Sequence, residues 1–273
     1  MPPEFPGRIL RLFDTGNCEE ERIVQDLRNI GVEIYDRDPK DPSKQIHYAD
    51  PDCGGHFSGS LDGVGRGFPE MPEPWMVVEL KTSNTKGYKQ LVKKGVEAAK
   101  PQHFCQMQTY MAWSGLLKAY YFSVAKETDD IYSEIVPFNE VIAYQLKERA
   151  KKIIFADTPP ERCGGASEDA YVCRYCQFKE LCYGHVLPEV NCRTCAHSTA
   201  KISGVWWCDK NGIITGDERQ KDEFCQHHIY IPDLVPMDVS DSDPNAWTIT
   251  YSDGTVNGPG AVSSREMRCK YGK

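Results

Sequence analysis

Residues 57 to 82 constrain this chain more than any other stretch, because two short strand-like segments there bring one aspartate next to a Glu-x-Lys. In the second segment, the alternation of a β-strand projects Glu79 and Lys81 from the same face. Asp62 ends the shorter segment, Phe57–Leu61, with glycines nearby on both sides. Neighbouring carboxylates repel each other unless a divalent cation lies between them, and hard oxygen ligands suit Mg²⁺ or Mn²⁺. The stretch is therefore either an exposed strand pair with a surface ion pair, or a metal site in which the lysine supplies a positive charge for a phosphate.

The composition is that of an ordinary globular protein, with 40% hydrophobic and 26% charged residues in a chain of 273. This length allows one large domain, or one medium and one small. No run of eighteen apolar residues occurs, and the N-terminus lacks the basic and apolar regions of a signal peptide. We therefore expect a soluble, cytoplasmic protein. The net charge of -8 argues against indiscriminate coating of nucleic acid, although it leaves room for a local basic track.

A helix is predicted over residues 14 to 31, DTGNCEEERIVQDLRNIG. Asp14 or Thr15 can cap its start, acids occupy the first turns where the helix dipole favours them, and Gly31 ends it. At about 100° per residue, Glu20 lies near the middle of the apolar stripe and faces inward, unless the first turn frays into water. The stripe consists of Ile23, Val24, Leu27 and Ile30.

The other elements of the first half follow from alternation and turn residues. Residues 36–56 read as a loop with a short strand at Gln45–Tyr48, and a turn-rich insert, Gly63–Pro74, separates the two site strands. Further elements are a hairpin of residues 119–125 and 131–137, an amphipathic helix over residues 139–156, and a proline- and glycine-rich boundary over residues 158–167.

Two segments after the Glu-x-Lys offer contacts for a phosphate backbone. Lysines far outnumber acids between residues 81 and 100, and their position favours a phosphate-contacting track over a merely solvated helix face, chiefly through Lys86, Lys89 and Lys93. Pro101 then opens a helix on which Gln106 and Tyr110 share a stripe with Trp113 and Leu117. Most such stripes pack in a core, but a buried amide requires polar partners.

Eight of the twelve cysteines fall between residues 163 and 225, several of them in CxxC pairs. Without an export sequence, this pattern favours metal ligation in a reducing compartment over disulfides. The first group, CxxCx₅CxxH, can close around one zinc ion, with Cys163 as an alternative ligand that would make an all-cysteine site for zinc or iron-sulfur. It consists of Cys173, Cys176, Cys182 and His185. The second group resembles a zinc ribbon and consists of Cys192, Cys195, Cys208 and Cys225.

The order of these motifs resembles the PD-(D/E)xK nuclease superfamily, specifically its RecB-like and phage exonuclease branch. An inward helical glutamate, an aspartate at a strand end, Glu-x-Lys on the next strand and a helix with Gln-x-x-x-Tyr occur here in that order, over residues 8 to 155. The opening RLFDTGNCEEERIVQDLRNIG is similar to phage-encoded exonucleases of this branch. The resemblance implies an α/β fold with a restriction-endonuclease-like core, in which helices flank a central mixed β-sheet.

The resemblance also implies roles for individual residues. Asp62 and Glu79 would bind a catalytic Mg²⁺ or Mn²⁺ together with the Leu80 carbonyl, Glu20 would act through water, and Lys81 would orient or activate the attacking water. Gln106 and Tyr110 would contact DNA. Many relatives have a metal-binding histidine where this chain has Asn17. Some relatives carry an iron-sulfur cluster on three close cysteines and one remote cysteine, which here would be Cys18 or Cys163.

Together these inferences predict a metal-dependent exonuclease that acts on linear DNA in phage-type recombination or DNA processing. Expected partners are DNA, a single-strand annealing or recombination protein, and further copies of the chain. A structure-specific endonuclease or resolvase, and a non-catalytic zinc-containing module that binds nucleic acid, are the alternatives. The expected organisation is a nuclease core over residues 1–157, a cysteine cluster over 158–188 packed on that core, a zinc-ribbon-like module over 189–231, and an acidic linker with a terminal β-hairpin over 232–273.

Overall fold

A computed structural model describes residues 6–156, 158–174, 176–216 and 225–271. The chain divides into two units, Pro3–Lys151 and Lys152–Lys273. Within the described residues, no helix combines the length and the apolar character needed to cross a lipid bilayer.

The N-terminal unit is built on a five-stranded mixed sheet with strand order β1-β4-β5-β6-β7. Strands β5 and β6 are parallel, which requires a long crossover between them, and helices α2 and α3 provide it. The other pairs of this sheet are antiparallel, and β2 and β3 form a separate ribbon. The helices are α1 Gly7–Asn29, α2 Thr85–Ala99, α3 Pro101–Ser114 and α4 Glu140–Ile154. The strands are β1 Glu33–Tyr35, β2 His47–Ala49, β3 Ser58–Ser60, β4 Gly63–Arg66, β5 Met76–Ser83, β6 Lys118–Ala125 and β7 Ile131–Pro137.

Side chains alternate between the two faces of this sheet along its central strands, and helices cover both faces. One face packs against α1 through a cluster that includes Ile23, Leu27, Val78 and Leu80. The opposite face packs against α2 and α3 through a cluster that includes Val77, Leu91, Phe104, Met107 and Tyr121. The predicted central mixed sheet with flanking helices is therefore confirmed, as are the β6–β7 hairpin and the helix that begins at Pro101.

Several local predictions for this unit are wrong. Helix α1 begins at Gly7, and Thr15 does not cap it, because its hydroxyl donates to the carbonyl of Arg11 one turn earlier. Ile30 is 64% exposed and lies outside the buried stripe. The insert predicted after Asp62 contains strand β4, which pairs with both β1 and β5. A strand with two glycines in four residues has little intrinsic β-propensity, so its strand form comes from these two neighbours.

The C-terminal unit contains two small antiparallel sheets, with strand orders β10-β9-β8 and β11-β12-β13. Its strands and helices are α5 Lys179–Cys182, β8 Ser198–Ala200, β9 Trp206–Cys208, β10 Ile213–Thr215, β11 Val239–Asp243, β12 Thr248–Tyr251, β13 Val256–Asn257 and α6 Ser264–Tyr271. An apolar cluster holds the second sheet and α6 together. Its buried members are Leu187, Val190, Ile229, Tyr230, Val235, Ile249, Tyr251 and Met267.

The predicted acidic linker is wrong, because its residues form strand β11 beside β12. Strands β12 and β13 lie where a terminal hairpin is expected, with Asp253 and Gly254 between them. The chain then continues into α6, whose Met267 is fully buried in the apolar cluster. The last part of the chain is therefore part of this unit's core and not an appended tail.

Candidate active site

The candidate site forms where strand β4 begins beside β5. Gly63 is the first residue of β4 to pair with β5, opposite Val78. Farther along β5, the amide N–H of Leu80 donates instead to Asp62 Oδ2 at 2.9 Å. Beyond the start of β4, the carboxylate of Asp62 thus accepts the β5 hydrogen bond that a neighbouring strand would otherwise accept, and this bond fixes its position.

Glu79 and Lys81 project from the same face of β5, as alternation requires. Lys81 Nζ lies 2.7 Å from Glu79 Oε1, and it donates to Asp62 Oδ2 and to the Leu80 carbonyl, each at 2.9 Å. The ammonium group therefore bridges both carboxylates and the backbone oxygen expected to bind metal. The structure brings together Asp62, Glu79, Leu80 and Lys81.

The charges at this site are strongly perturbed. Glu79 is 0% exposed, and burial raises its pKa to about 7, against the opposing effect of the Lys81 charge. Burial disfavours the charged form of Lys81, but the charges of Glu79 and Asp62 outweigh it and raise the lysine pKa above its ordinary value. Lys81 is therefore a cation at neutral pH.

Glu20 reaches the same place from helix α1. It lines a cavity of about 330 Å³ together with Asp62 and Leu80, although the chain separates these residues widely. Burial, and then the charge of Asp62, raise the pKa of Glu20, whereas Lys81 lowers it. The predicted inward orientation of Glu20 agrees with this position. The other lining residues are Asn17, Glu21, Val24, Asp36, Arg37 and Gln45.

The buried carboxylate suits a divalent cation. Glu79 Oε2 is buried and has no hydrogen-bond partner in the described part of the chain, and Oε1 has only the Lys81 ion pair. A buried polar atom without a partner is uncommon in folded proteins, and hard oxygen atoms are the ligands that Mg²⁺ takes. Among the described residues, no three His, Cys, Asp or Glu side chains are already arranged to hold a metal ion. Asp62, Glu79 and the Leu80 carbonyl are the groups that would hold one.

Helix α3 is hydrogen-bonded to the segment that precedes Asp62. Tyr110 is buried, and its hydroxyl donates to the carbonyl of Ser60 at 2.6 Å, two residues before Asp62. The Gln106 amide lies 3.5 Å from the Tyr110 hydroxyl. The hydroxyl of the tyrosine predicted to contact DNA thus donates a hydrogen bond to the protein backbone. Leu117 is 70% exposed beyond the end of α3, so the predicted stripe stops before it.

The predicted basic track lies on helix α2, which begins two residues after β5. Lys86, Lys89 and Lys93 are exposed and recur at helical spacing on one side of α2. None of the ion pairs within the described residues involves these three lysines. Their charges are therefore available to an anionic partner.

Several residues near the site are not predicted by the sequence patterns. Asp36 and Arg37 line the cavity because β1, which they follow, pairs with β4. The preceding Val-Glu-Ile-Tyr run is β-like, but its pairing with β4 cannot be read locally. His103 on α3 lies 2.9 Å from the hydroxyl of the fully buried Tyr121, which is opposite Glu79 in the sheet. Burial, and then Lys81 and Lys100, lower the pKa of His103 to about 4.

The two cysteine groups differ in arrangement. In the first group, Cys173 is buried with its sulfur 3.7 Å from the Tyr183 hydroxyl, whereas Cys176, Cys182 and the alternative ligand Cys163 are exposed. His185 Nε2 lies 2.6 Å from Glu168 Oε2, so an acid is bonded to one of the two ring nitrogens of the histidine predicted to bind zinc. The prediction of a metal at this group remains a prediction. The second group is gathered around one cavity, which is lined by Cys192, Cys195, Cys208 and Cys225 among others.

Two solved structures show a distant likeness to this chain. No protein-family model and no curated protein matches the chain. Among solved structures, the crystal structure of LHK-Exo in complex with dAMP aligns with a TM-score of 0.41 and 17% identity, over 52% of this chain and 65% of that one. The crystal structure of SSO0001 aligns with a TM-score of 0.33 and 18% identity, over 57% of this chain and 63% of that one. The chain thus covers less than two thirds of either neighbour, and these likenesses do not indicate an activity.

Proposed function

We propose that the protein is a deoxyribonuclease that requires Mg²⁺ or Mn²⁺ and degrades linear DNA as an exonuclease. The observation that carries this proposal is the fully buried carboxylate of Glu79, which has an oxygen without a partner among the described residues and lies beside Asp62 and Lys81. Burial raises the free energy of a charged acid, and the ion pair with Lys81 leaves Glu79 Oε2 without a partner among the described residues. A site for a cation and a phosphodiester accounts for all three side chains.

Hydrolysis needs a nucleophile, charge neutralisation and correct alignment. A divalent cation, when bound, supplies a Lewis acid for the phosphate and lowers the pKa of a water molecule. In the reaction, the water oxygen bonds to phosphorus as one P–O ester bond breaks. The water releases a proton to solvent, and the departing oxygen takes one up.

The protonation state of Lys81 limits what this residue can do. Because its raised pKa keeps it cationic, Lys81 cannot act as the base. It orients the nucleophile and offsets negative charge on the phosphate. Asp62 and Glu79 hold the lysine in place through the two ion pairs.

The exposed lysines of α2 provide the contact to DNA. Lys86, Lys89 and Lys93 form a positive face on the helix that follows the site strand, and phosphates are what such a face attracts. Gln106 is a further candidate for a backbone contact. This face supports DNA as the substrate despite the net charge of -8.

The exonuclease mode and the biological setting rest on the resemblance of the motifs. These motifs favour a role in phage-type recombination or DNA processing in the cytoplasm of a bacterial host. The partners would be an annealing or recombination protein and further copies of the chain. A structure-specific endonuclease or resolvase would use the same site. A non-catalytic binding module would have no use for a buried Glu79.

A nuclease assay tests the proposal. End-labelled linear DNA and covalently closed DNA are incubated with the protein and Mg²⁺, Mn²⁺ or EDTA. We expect release of nucleotides from linear DNA with either cation, none with EDTA, and none from Lys81→Ala. Lys151→Ala, which removes a lysine paired with Glu148 on α4, is the matched control and should retain full activity. Undiminished cleavage by Lys81→Ala would refute the assignment, and cleavage of closed DNA would favour the endonuclease.

A further inference from the structure

Among its described residues, 191–216 and 225–228, the segment from residue 191 to 228 has no apolar core of its own. None of these described residues is a buried member of the apolar cluster of the C-terminal unit. Within the described residues, the buried side chains of the segment are instead Cys195, His197, Cys208, Thr215 and His228. A small sheet such as β8–β10 requires a substitute for hydrophobic burial, which in small domains is often a disulfide or a metal ion.

These five buried side chains line a single cavity of about 330 Å³, together with Cys192 and Cys225. None of its four cysteines forms a disulfide in the part of the chain that the structure describes. Cys192 begins a short 3₁₀ turn that Cys195 follows, and Cys208 ends β9 opposite Ser198 of β8. The cysteine-lined cavity is therefore the interior of this segment, and soft donors surround it.

The two buried histidines of the cavity have different surroundings. Both ring nitrogens of His228 have partners, because Nδ1 lies 2.8 Å from Ser264 Oγ and Nε2 lies 3.2 Å from Thr194 Oγ1. His228 therefore has no free ring nitrogen with which to bind a metal ion. His197 Nε2, in contrast, is buried and has no hydrogen-bond partner within the described residues. Its ring packs edge-on against Trp247, with centroids 4.7 Å apart.

We propose that the cysteine-lined cavity binds one Zn²⁺ ion through Cys192, Cys195, Cys208 and Cys225, and that His197 Nε2–H donates to one of these sulfurs. Four thiolates are one of the usual donor sets of structural zinc sites. A hydrogen bond from a neighbouring group typically tunes such a site, which would satisfy the unpartnered nitrogen of His197. Lys210 also lines the cavity and offsets part of the thiolate charge.

Binding must draw the ligands together. In the described part of the chain, no three donor side chains already surround a common point, so the side chains that line the cavity would move closer to one another on binding. Zinc would then contribute directly to the folding free energy of residues 191–228, since no apolar cluster of the described residues does so.

Metal analysis of the 273-residue chain tests this proposal. The wild type is compared with Cys192→Ser/Cys195→Ser and with Cys269→Ser, which removes an exposed thiol on α6 outside the cavity. We expect the double variant to contain one zinc ion fewer per chain than the wild type and the control to match the wild type. Equal zinc in all three proteins, or a wild type without zinc, would overturn the proposal.

Two measurements keep the test valid if the double variant does not fold. Cobalt substituted into the wild type should show the thiolate charge-transfer absorption of a four-sulfur tetrahedral site, and absence of this band would refute the ligand set. His197→Gln should retain the zinc ion but bind it roughly 10- to 100-fold more weakly, as loss of an outer hydrogen bond typically does. Unchanged affinity in this variant would refute the role of His197. Both readouts are independent of DNA cleavage.

Discussion

Replacing Glu79 by glutamine should stabilise the protein while it abolishes DNA cleavage. Glutamine resembles the protonated acid in size and polarity but carries no charge to bury. The pKa of Glu79 rises from 4.5 to about 7 in the folded chain, chiefly because the carboxyl is buried. The folded state therefore holds this proton more tightly than the unfolded state does, and the free energy of unfolding falls as the pH rises from 4.5 to about 7.

The size of the effect follows from that shift. One pKa unit corresponds to about 1.4 kcal/mol, so ionised Glu79 costs the folded state about 3 kcal/mol once the pH is well above 7. We expect Glu79→Gln to exceed the wild type by about 3 kcal/mol near pH 8, and by about 1.4 kcal/mol near pH 5.5, where the folded acid is largely protonated. The gain should therefore depend on pH and not be a constant offset.

Urea denaturation in EDTA at both pH values measures this difference. Glu97→Gln, which neutralises an exposed acid on α2, is the matched control and should leave the unfolding free energy unchanged. Mg²⁺ near pH 8 should stabilise the wild type but not Glu79→Gln, because a ligand stabilises only the state that binds it. A gain in unfolding free energy for Glu79→Gln that is equal at both pH values would refute the account of Glu79 as a buried, ionisable metal ligand.

Two further predictions concern the groups around the site. Tyr110→Phe removes the hydrogen bond to the Ser60 carbonyl and should lower the unfolding free energy by about 1 kcal/mol. It should also slow cleavage several-fold without weakening DNA binding, and a variant with altered binding alone would show that Tyr110 contacts DNA. Neutralising Lys86, Lys89 and Lys93 together should weaken binding to DNA of every sequence. It should also reduce the slope of the logarithm of the DNA-binding constant against the logarithm of the salt concentration, by about 0.9 for each phosphate that these lysines neutralise in the wild type. Neutralising Lys40, Lys44 and Lys126 is the control, and an equal reduction there would contradict directed binding of DNA through α2.

Periodicity was sufficient to predict the parts of the site that lie on long, regular elements. Glu79 and Lys81 share a face of β5 because strands alternate, and Glu20 faces the cavity because α1 has a regular apolar stripe. The parallel pairing of β5 with β6 was not legible, but a mixed sheet was expected from the family resemblance and is what the structure has.

The elements that were missed depend on contacts between distant residues. Strand β4 consists of GVGR, which locally resembles a turn, and it becomes a strand because β1 and β5 pair with it from both sides. The start of α1 was misplaced because Thr15 resembles a helix cap, whereas its hydroxyl bonds back to Arg11 within the helix. The distribution of buried side chains between residues 191 and 228 also required the structure, since exposure cannot be read from cysteine spacing.

The hydrogen bond from the Leu80 N–H to Asp62, which takes the place of strand pairing beyond the start of β4, also limits which insertions this fold can accept. The N–H of Leu80 is available to Asp62 only because β4 has no residue opposite it. Lengthening β4 at its start would give that N–H a backbone carbonyl and release the carboxylate into solvent, so related chains should accept no insertion between Asp62 and Gly63. At the other end of β4, the exposed residues Pro72 and Glu73 are under no such constraint, so length variation should accumulate there and not at the buried Phe68.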